Sequence, residues 1–270
     1  EFEMFAFSLL SFPTLLFAKY DLIFPQNGFW GALICRIVRA LLGTPFIYRS
    51  AGGREPIIVR QKPNLYIATT PEIESWINKF DPKVKTTLIP NGINLKKFST
   101  KTKKIRFNLE KPIYLCVGAL ILAKRIDLAI KAVAKLEKGS LLVIGDGPLS
   151  EDIRRLGYKA LGKRRFMLKK VKYSQMPRYY ASCDIFTLPS LDEPFGIVYL
   201  EAMASGLTVV APDDRSRRYI MGKAGILCDC KDVLQYSRAL QKSTEKRFDV
   251  RPRDQAKNST GKKFHRNTIS

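Results

Sequence analysis

Histidine, paired cysteines and long apolar runs are scarce in this sequence, and each shortage excludes a kind of site. The 270 residues include one histidine, His265, which lies in a polar tail and is a poor catalytic candidate. The five cysteines provide no second ligand pair beside Cys228 and Cys230, so a zinc site is not predicted. The other three lie inside apolar runs, as free buried thiols of a reducing compartment do; they are Cys35, Cys116 and Cys183.

The longest apolar run at the front of the chain is too short to cross a bilayer. Met4 to Ala18 contains 15 residues, against roughly 20 for a transmembrane helix, and Pro13 interrupts it. No basic leader precedes the run, which disfavours a cleaved signal peptide. We therefore expect a buried helix of a first domain.

Negative charge is also in short supply. The chain carries 47 basic and 24 acidic residues, a formal net charge of +23, which creates a long-range field that attracts anions. The basic residues are scattered and no RNA or DNA motif frames them, so a nucleic-acid partner is disfavoured. An anionic membrane face is the more natural partner, and a merely basic surface is the alternative.

The most informative segment runs from Ser190 to Gly206 and contains two glutamates separated by seven residues. The apolar run Asp184–Pro189 before it predicts a buried parallel strand. Helix is forbidden until about Phe195 by the proline at 194, so Glu193 lies in the turn. A helical pattern starts at the glycine at 196 and Gly206 is a plausible stop, which places Glu201 inside the helix.

The helix start described above has the chemistry of a phosphate site. The first amides of a helix lack internal partners and carry partial positive charge, so those of Gly196 and Ile197 could cradle a phosphate. A carboxylate accepts two hydrogen bonds side by side, which suits Glu201 to a ribose diol and Glu193 to a sugar hydroxyl. The alternative is an ordinary strand-turn-helix unit with one solvated glutamate.

This segment resembles the Glu, seven residues, Glu signature of family 4 retaining glycosyltransferases. Three further segments match the family in the expected order: Ile89–Phe98, Val117–Ala132 and Leu141–Leu149. The resemblance implies an α/β fold of GT-B type, with two Rossmann-like, doubly wound parallel-sheet domains, the first incomplete here. The domains are expected at residues 1–95 (partial N-terminal, acceptor side), 96–111 (linker), 112–242 (nucleotide-sugar binding) and 243–270 (polar, frayed C-terminal tail).

In the front region, predicted strands and helices alternate along the chain, as they do in a doubly wound domain. Apolar runs predict buried strands and periodic segments predict helices between them. The strands are Tyr20–Pro25, Pro45–Tyr48, Asn64–Ala68 and Thr87–Pro90, and the helices include Gly31–Leu42 and Pro71–Lys79. If absent opening strands would have paired here, an exposed edge makes aggregation an expected property.

The resemblance also implies roles for particular residues. The catalytic set is Glu193, Lys124 and Arg125, and the donor-binding set is Gly118, Glu193, Phe195, Gly196, Ile197 and Glu201. Ala119 stands where a basic residue is common, and Arg125 stands where many members have glycine. Either Arg125 supplies the second cation for the donor diphosphate, or catalysis is weakened. Neutralisation by these cations and helix amides makes bound magnesium unnecessary, so no metal and no cofactor are expected.

Two other glycine-containing segments have competing interpretations. Gly145 and Gly147 follow a strand and form half of a dinucleotide fingerprint, but Ser150 occupies the place of the third glycine, so a nicotinamide or flavin site is not predicted. In Ile47–Arg54, Arg54 or the amides of Gly52 and Gly53 could lie near substrate. A plain loop at the end of a strand is the favoured interpretation there.

Taken with the resemblance, these features predict a retaining hexosyltransferase. It would move a sugar from a GDP- or UDP-sugar to a glycan or lipid-linked acceptor, in the cytoplasm and with peripheral contact to the inner face of a membrane. The Lys-Arg-Ile-Asp stretch favours a mannose-type donor such as GDP-mannose. The alternatives are a catalytically impaired nucleotide-sugar-binding fragment and a basic nucleic-acid-binding protein on an α/β scaffold.

Overall fold

Short apolar runs form parallel strands and longer periodic segments form the helices between them in the computed structural model. It describes residues 2–26, 28–50, 53–191, 193, 195–245 and 250–259. The predictions made for Gly52, Pro194 and His265 concern residues outside these ranges. The chain divides into two compact units, unit 1 from residue 1 to Pro90 and unit 2 from Asn91 onward.

Unit 1 contains a three-stranded parallel sheet of order β1-β2-β3. Its elements are α1 (Phe2–Phe17), α2 (Gly28–Leu42), β1 (Ile47–Arg49), α3 (Pro56–Val59), β2 (Leu65–Ala68), α4 (Pro71–Phe80) and β3 (Thr86–Leu88). Thr70 caps α4 by accepting from the Ile73 amide at 3.4 Å, and Pro71 occupies the first helical position, where its missing N–H costs nothing. The predicted strand over Tyr20–Pro25 is reduced to one bridge between Ile23 and Phe46.

The sequence predicted an N-terminal helix and predicted that it would be buried; the helix forms, but it is largely exposed. Helix α1 forms and continues through Pro13. However, Phe2 and Leu10 are 81% and 79% exposed, and Ser8 is the buried residue of the helix. The reason is the narrow contact that α1 makes: it packs along α2, for example with the Phe5 ring 4.7 Å from that of Trp30, which covers one side only.

Unit 2 is a six-stranded parallel sheet interleaved with helices. Its elements are β4 (Ile113–Val117), α5 (Ile126–Ala134), β5 (Ser140–Ile144), α6 (Ser150–Arg165), β6 (Phe166–Lys169), α7 (Met176–Ser182), β7 (Ile185–Thr187), α8 (Ile197–Ala204), β8 (Thr208–Pro212), α9 (Arg215–Met221), β9 (Gly225–Cys228), α10 (Val233–Glu245) and α11 (Pro252–Ser259). The strand order is β6-β5-β4-β7-β8-β9. Every residue of β5 and β7 is buried, as expected for strands covered on both faces.

The described unit boundaries differ from the predicted domains at both ends of unit 2. Residues 91–95, expected in the first domain, and residues 96–111, expected as a linker, belong to unit 2, where the Phe98 side chain is fully buried. At the other end, helix α10 extends to Glu245 and α11 packs against α8 and α9. Gln255 of α11 donates to the Ile220 carbonyl at 3.1 Å, so the described part of the predicted frayed tail is folded onto the sheet domain.

Candidate functional site

The strand order of unit 2 marks one place for a ligand. Counting along the chain from β4, the order is 3-2-1-4-5-6, so the direction of winding reverses between β4 and β7. In open parallel sheets, ligands bind beyond the carboxyl ends of the strands at this switch point. The two loops that leave the sheet there are residues 118–125 after β4 and 188–196 after β7. They carry the predicted site residues Gly118, Lys124, Arg125, Glu193, Phe195 and Gly196, while Ile197 and Glu201 lie in α8.

Backbone contacts hold these two loops together. The Leu191 amide donates to the Ala123 carbonyl at 3.0 Å, and the Ser190 hydroxyl reaches the same carbonyl at 3.4 Å. Next to this contact, the Lys124 ammonium forms an ion pair with the Glu193 carboxylate. Their side chains are only 20% and 12% exposed, so little water screens the pair.

The start of helix α8 is shaped by one glycine. Gly196 has φ of +76°, and a Cβ there would lie 2.5 Å from the Tyr199 ring, so only glycine fits this turn. Tyr199 is in turn fixed by its hydroxyl, which donates to the Leu188 carbonyl at 2.9 Å. Ile197, the first residue of the helix, is exposed. Phe195, by contrast, is buried in the core, which makes packing its visible role.

Glu201 lies inside α8 with its carboxylate fully engaged. One oxygen accepts from the Tyr173 hydroxyl and the other from the Tyr180 hydroxyl, each at 2.8 Å, and the residue is 3% exposed. Burial raises the pKa of Glu201 above its ordinary value, while the two hydrogen bonds and the charge of Lys97 lower it in part. Buried carboxylates without such donors are costly, so the tyrosines are what allow an ionised Glu201 here.

The glycines after β5 serve the backbone of the first loop. A Cβ on Gly145 would lie 1.9 Å from the Gly118 carbonyl oxygen, and one on Gly147 would lie 2.7 Å from that of Leu120. The Leu120 amide donates to the Asp146 carbonyl at 2.9 Å. The glycine turn therefore supports the loop after β4. Gly118 itself borders the Lys124 side chain, whose carbons would lie 3.7 Å from an added Cβ.

The second predicted cation, Arg125, is turned toward its own helix. Its guanidinium donates to the Asp127 carboxylate at 3.2 and 3.4 Å, whereas Lys124 meets Glu193. Arg125 also has φ of +48°, a left-handed conformation that glycine adopts without strain. The geometry thus explains why glycine is common at this position in the family that the sequence resembles.

Replacing Arg125 with glycine is expected to be better tolerated than replacing it with alanine. Both changes remove a partly exposed ion pair of small value, but alanine keeps the left-handed strain of about 1 kcal/mol per residue. Urea unfolding should place the Arg125→Gly variant about 1 kcal/mol above Arg125→Ala in free energy of unfolding. Equal stabilities would mean that the turn relaxes when the arginine is removed.

Sequence reasoning missed the residues that hold the glutamates in place. Arg217, one of the scattered basic residues, is 2% exposed and donates to the Ser190 carbonyl at 2.7 Å. It also pairs with Asp214, whose side chain caps α9. A signal did exist for Asp214, since an aspartate directly before a helix is a favoured N-cap residue. The tyrosines at 173 and 180 carried no such signal.

Potential metal ligands are dispersed in the part of the chain that the structure describes, where no three histidine, cysteine, aspartate or glutamate side chains cluster. Asp213 pairs with Arg218 and Asp214 with Arg217. Cys35, Cys116 and Cys183 are free and buried, as predicted. Among these same residues, no helix has both the length and the apolar character needed to cross a membrane.

Comparison with known proteins identifies the class. The family model for glycosyl transferases group 1 matches residues 97–262, which is more than half of the 270 residues. The chain therefore belongs to that family.

Individual relatives are similar over part of their length. A GDP-mannose-dependent monoacylated alpha-(1-6)-phosphatidylinositol monomannoside mannosyltransferase of Corynebacterium glutamicum is 33% identical over 142 residues, which cover 46% of this chain and 37% of the relative. Sulfoquinovosyl transferase SQD2 of Arabidopsis thaliana is 33% identical over 150 residues, covering 51% and 28%. The matches thus span less than half of these relatives.

Solved structures share the fold. Anabaena HepE in complex with UDP superposes with a TM-score of 0.75 at 17% identity, covering 95% of this chain and 76% of that one. A sucrose-phosphate synthase from Thermosynechococcus elongatus gives a TM-score of 0.75 at 22% identity, covering 95% and 71%. The predicted α/β fold with parallel sheets, of the GT-B type found in glycosyltransferases, is thereby confirmed.

Proposed function

We propose that this chain binds a nucleotide-sugar donor at the switch point of unit 2 and transfers the sugar, with retention of configuration, to a glycan or lipid-linked acceptor. The observation that carries the proposal is the Lys124–Glu193 ion pair, shielded from water and placed beside the exposed start of α8. A cation, a carboxylate and free helix amides at one place match the parts of a sugar diphosphate.

Each part of the donor has a partner of suitable chemistry. Glu201 receives the ribose hydroxyls, and the amides of Gly196 and Ile197 receive the distal phosphate. The Glu193 carboxylate exchanges its bond to Lys124 for a bond to a hydroxyl of the transferred sugar. Lys124 is then free to meet the diphosphate.

The chemical step requires a leaving group that can carry charge. The acceptor hydroxyl oxygen bonds to the anomeric carbon on the face from which the phosphate oxygen departs, and its proton passes to that phosphate oxygen. The electron pair of the broken carbon–oxygen bond leaves on the nucleoside diphosphate. Lys124 and the α8 amides stabilise that charge in a site with little water, which is where such stabilisation is worth most. No metal or cofactor has a place in this proposal.

The donor is proposed to be a hexose nucleotide, with GDP-mannose favoured. Its support is the Lys-Arg-Ile-Asp stretch at 124–127 and the GDP-mannose dependence named for the Corynebacterium relative. A UDP-sugar is the other candidate, since HepE of the same fold was solved with UDP. The proposal places residues 1–90 on the acceptor side.

A lipid-linked acceptor and peripheral contact with an anionic membrane complete the proposal. The relative from Corynebacterium is named for a phosphatidylinositol substrate. The net charge of +23 favours an anionic surface, with about 1 kcal/mol for each basic residue held near it. The exposed apolar side chains of α1 would gain from entering the interface of such a membrane.

A nucleotide-sugar-binding module with reduced turnover is the second candidate function for this site. The specific observation is that Arg125 is engaged with Asp127 while residue 119 is alanine, which leaves Lys124 as the cation paired within the site. A donor-hydrolysis and transfer assay separates an enzyme from a binding module, because only an enzyme releases nucleoside diphosphate from the sugar nucleotide.

Nucleotide binding should depend on Glu201. Two hydrogen bonds to a charged group are worth about 1.5 kcal/mol each at the lower limit, so Glu201→Ala is expected to weaken binding of the preferred nucleoside diphosphate by about 100-fold. Titration calorimetry with uridine, guanosine and adenosine diphosphates measures this and identifies the base. Glu151→Ala, on the solvent side of α6, is the matched control; equal affinity of Glu201→Ala and wild type would remove the ribose assignment.

A further inference from the structure

The buried Glu201 carboxylate has one partner that is itself exposed, Tyr173. This tyrosine lies in a short 3-10 turn, Tyr173–Gln175, just before α7. Its hydroxyl donates to one Glu201 oxygen at 2.8 Å, while the residue as a whole is 57% exposed. It therefore links a buried carboxylate directly to the protein surface.

The second tyrosine that bonds to Glu201 is held firmly in the core. Tyr180 is fully buried and packs its ring 5.7 Å from Phe98 and 5.9 Å from Phe186. Its hydroxyl donates to the other Glu201 oxygen at 2.8 Å. Moving Tyr180 would disrupt the core, whereas moving Tyr173 would expose a ring that is already half in water.

A lysine holds the exposed tyrosine in its place. The Lys97 ammonium lies 4.0 Å from the centre of the Tyr173 ring, within the range of a cation–π contact. Burial, followed by the bond to Glu201, raises the pKa of Tyr173 to about 12, so its hydroxyl remains a donor at neutral pH. With both oxygens engaged and the residue 3% exposed, Glu201 has no free face for a diol.

We propose that Tyr173 is a positioning residue of the donor site, whose hydroxyl occupies on Glu201 the place that a ribose hydroxyl takes when a nucleotide binds. The inference rests on the proposed function, because it assumes that Glu201 binds ribose. The carboxylate accepts about four hydrogen bonds, so it can keep Tyr180 and accept both ribose hydroxyls once Tyr173 has rotated away and opened access to it. Glu201 thus remains oriented and charged before and after the exchange.

This exchange makes the site selective for a sugar with adjacent hydroxyls. A ribose replaces the bond from Tyr173 and adds a second, so Glu201 loses nothing. A 2′-deoxyribose replaces the bond but adds none, and it gains little from displacing the tyrosine. The tyrosine therefore sets the threshold that a nucleotide must exceed, and its removal should strengthen the binding of both nucleotides by a similar factor.

The test compares three tyrosine-to-phenylalanine variants by calorimetry, with the preferred nucleoside diphosphate and its 2′-deoxy form. Tyr173→Phe is expected to bind the ribonucleotide about 5-fold more tightly, since one hydrogen bond no longer has to be exchanged, and to bind the 2′-deoxy form more tightly by a similar factor. Tyr180→Phe is expected to bind both more weakly. Tyr179→Phe, whose ring packs on Phe107, is the matched control and should behave as wild type.

Two further readouts separate a positioning role from a general effect on folding. The Tyr173 hydroxyl favours the ionised carboxylate, so the loss of nucleotide affinity on acidification should begin at higher pH in Tyr173→Phe. In wild-type protein with ¹³C-labelled tyrosine, the ring signal that is missing from Tyr173→Phe should shift when nucleotide is added. A fixed signal would overturn the proposal even if the variants folded poorly.

The outcomes distinguish this inference from the function beneath it. If nucleotides bind and depend on Glu201, but Tyr173→Phe binds equally or more weakly, Tyr173 is not the placeholder and the donor site stands. If no nucleoside diphosphate binds, or binding ignores Glu201→Ala, the proposed function fails and this inference fails with it.

Discussion

Lys124→Ala is expected to reduce sugar transfer by about 100- to 1,000-fold, the range observed when one preorganised donor to a developing anion is removed. The same change leaves the Glu193 carboxylate largely buried without its partner, since the two side chains are 20% and 12% exposed. Breaking such a pair costs more than the pair contributes. Turnover of the sugar nucleotide, measured by released nucleoside diphosphate, reports the loss.

Binding measurements identify the reason for that loss. Because Lys124 is assigned to the diphosphate, its removal should strongly weaken the binding of a nucleoside diphosphate and should hardly change the binding of the bare nucleoside. Lys131→Ala provides the control, since Lys131 lies in the second turn of α5 and pairs with Asp127 near the surface. Equal losses for nucleoside and diphosphate would remove the phosphate role of Lys124 and leave it a structural one.

Gly145→Ala is expected to lower the free energy of unfolding of unit 2 by about 3 kcal/mol or more, at the upper end for an overpacked site. The added Cβ would lie 1.9 Å from the Gly118 carbonyl oxygen. Backbone lies on both sides of this contact, so no side chain can rotate to make room. The loop that carries Lys124 would have to move away from β5.

Gly118→Ala is the matched variant for this prediction. The two glycines face each other, but a Cβ on Gly118 would meet only side-chain carbons at 3.7 Å, an ordinary contact. Urea unfolding should therefore give Gly118→Ala a free energy of unfolding close to that of wild type, and Gly145→Ala a much lower one. If both variants unfold alike, the tight approach between the two loops is not a determinant of stability.

The sheet domain was largely predictable because its strands are apolar on both faces. The runs before Pro189 and Gly145 became β7 and β5, and the helix after Gly196 ends at Ala204, just before the predicted stop. Burial of entire short strands leaves a strong signal in the sequence. The position of α1 left none, since an apolar run looks the same whether a neighbouring element covers it or leaves it exposed.

The sequence predicted which charged residues belong to the candidate site, but it did not predict which residues they contact. Glu193 and Lys124 lie 69 positions apart in the chain, and the resemblance to a family assigned them to one site where composition could not. Arg125 was assigned from its charge alone, and its left-handed backbone directs it to Asp127. The contacts of Tyr173 and Tyr180 with Glu201 depend on how α7 packs against α8, which no local pattern in the sequence encodes.

The strand order of unit 2 also has a consequence for how the chain folds as it is synthesised. Strand β4 pairs with β5 on one side, and on the other with β7, whose first paired residue, Ile185, bonds in register with Tyr114. The first half, β4 to β6, can assemble early from neighbouring segments, but one flank of β4 stays open until β7 has emerged. Pairings between segments that are distant in the sequence form slowly. Until β7 pairs with β4, the apolar central strand has one open edge, and other chains can bind to it and aggregate.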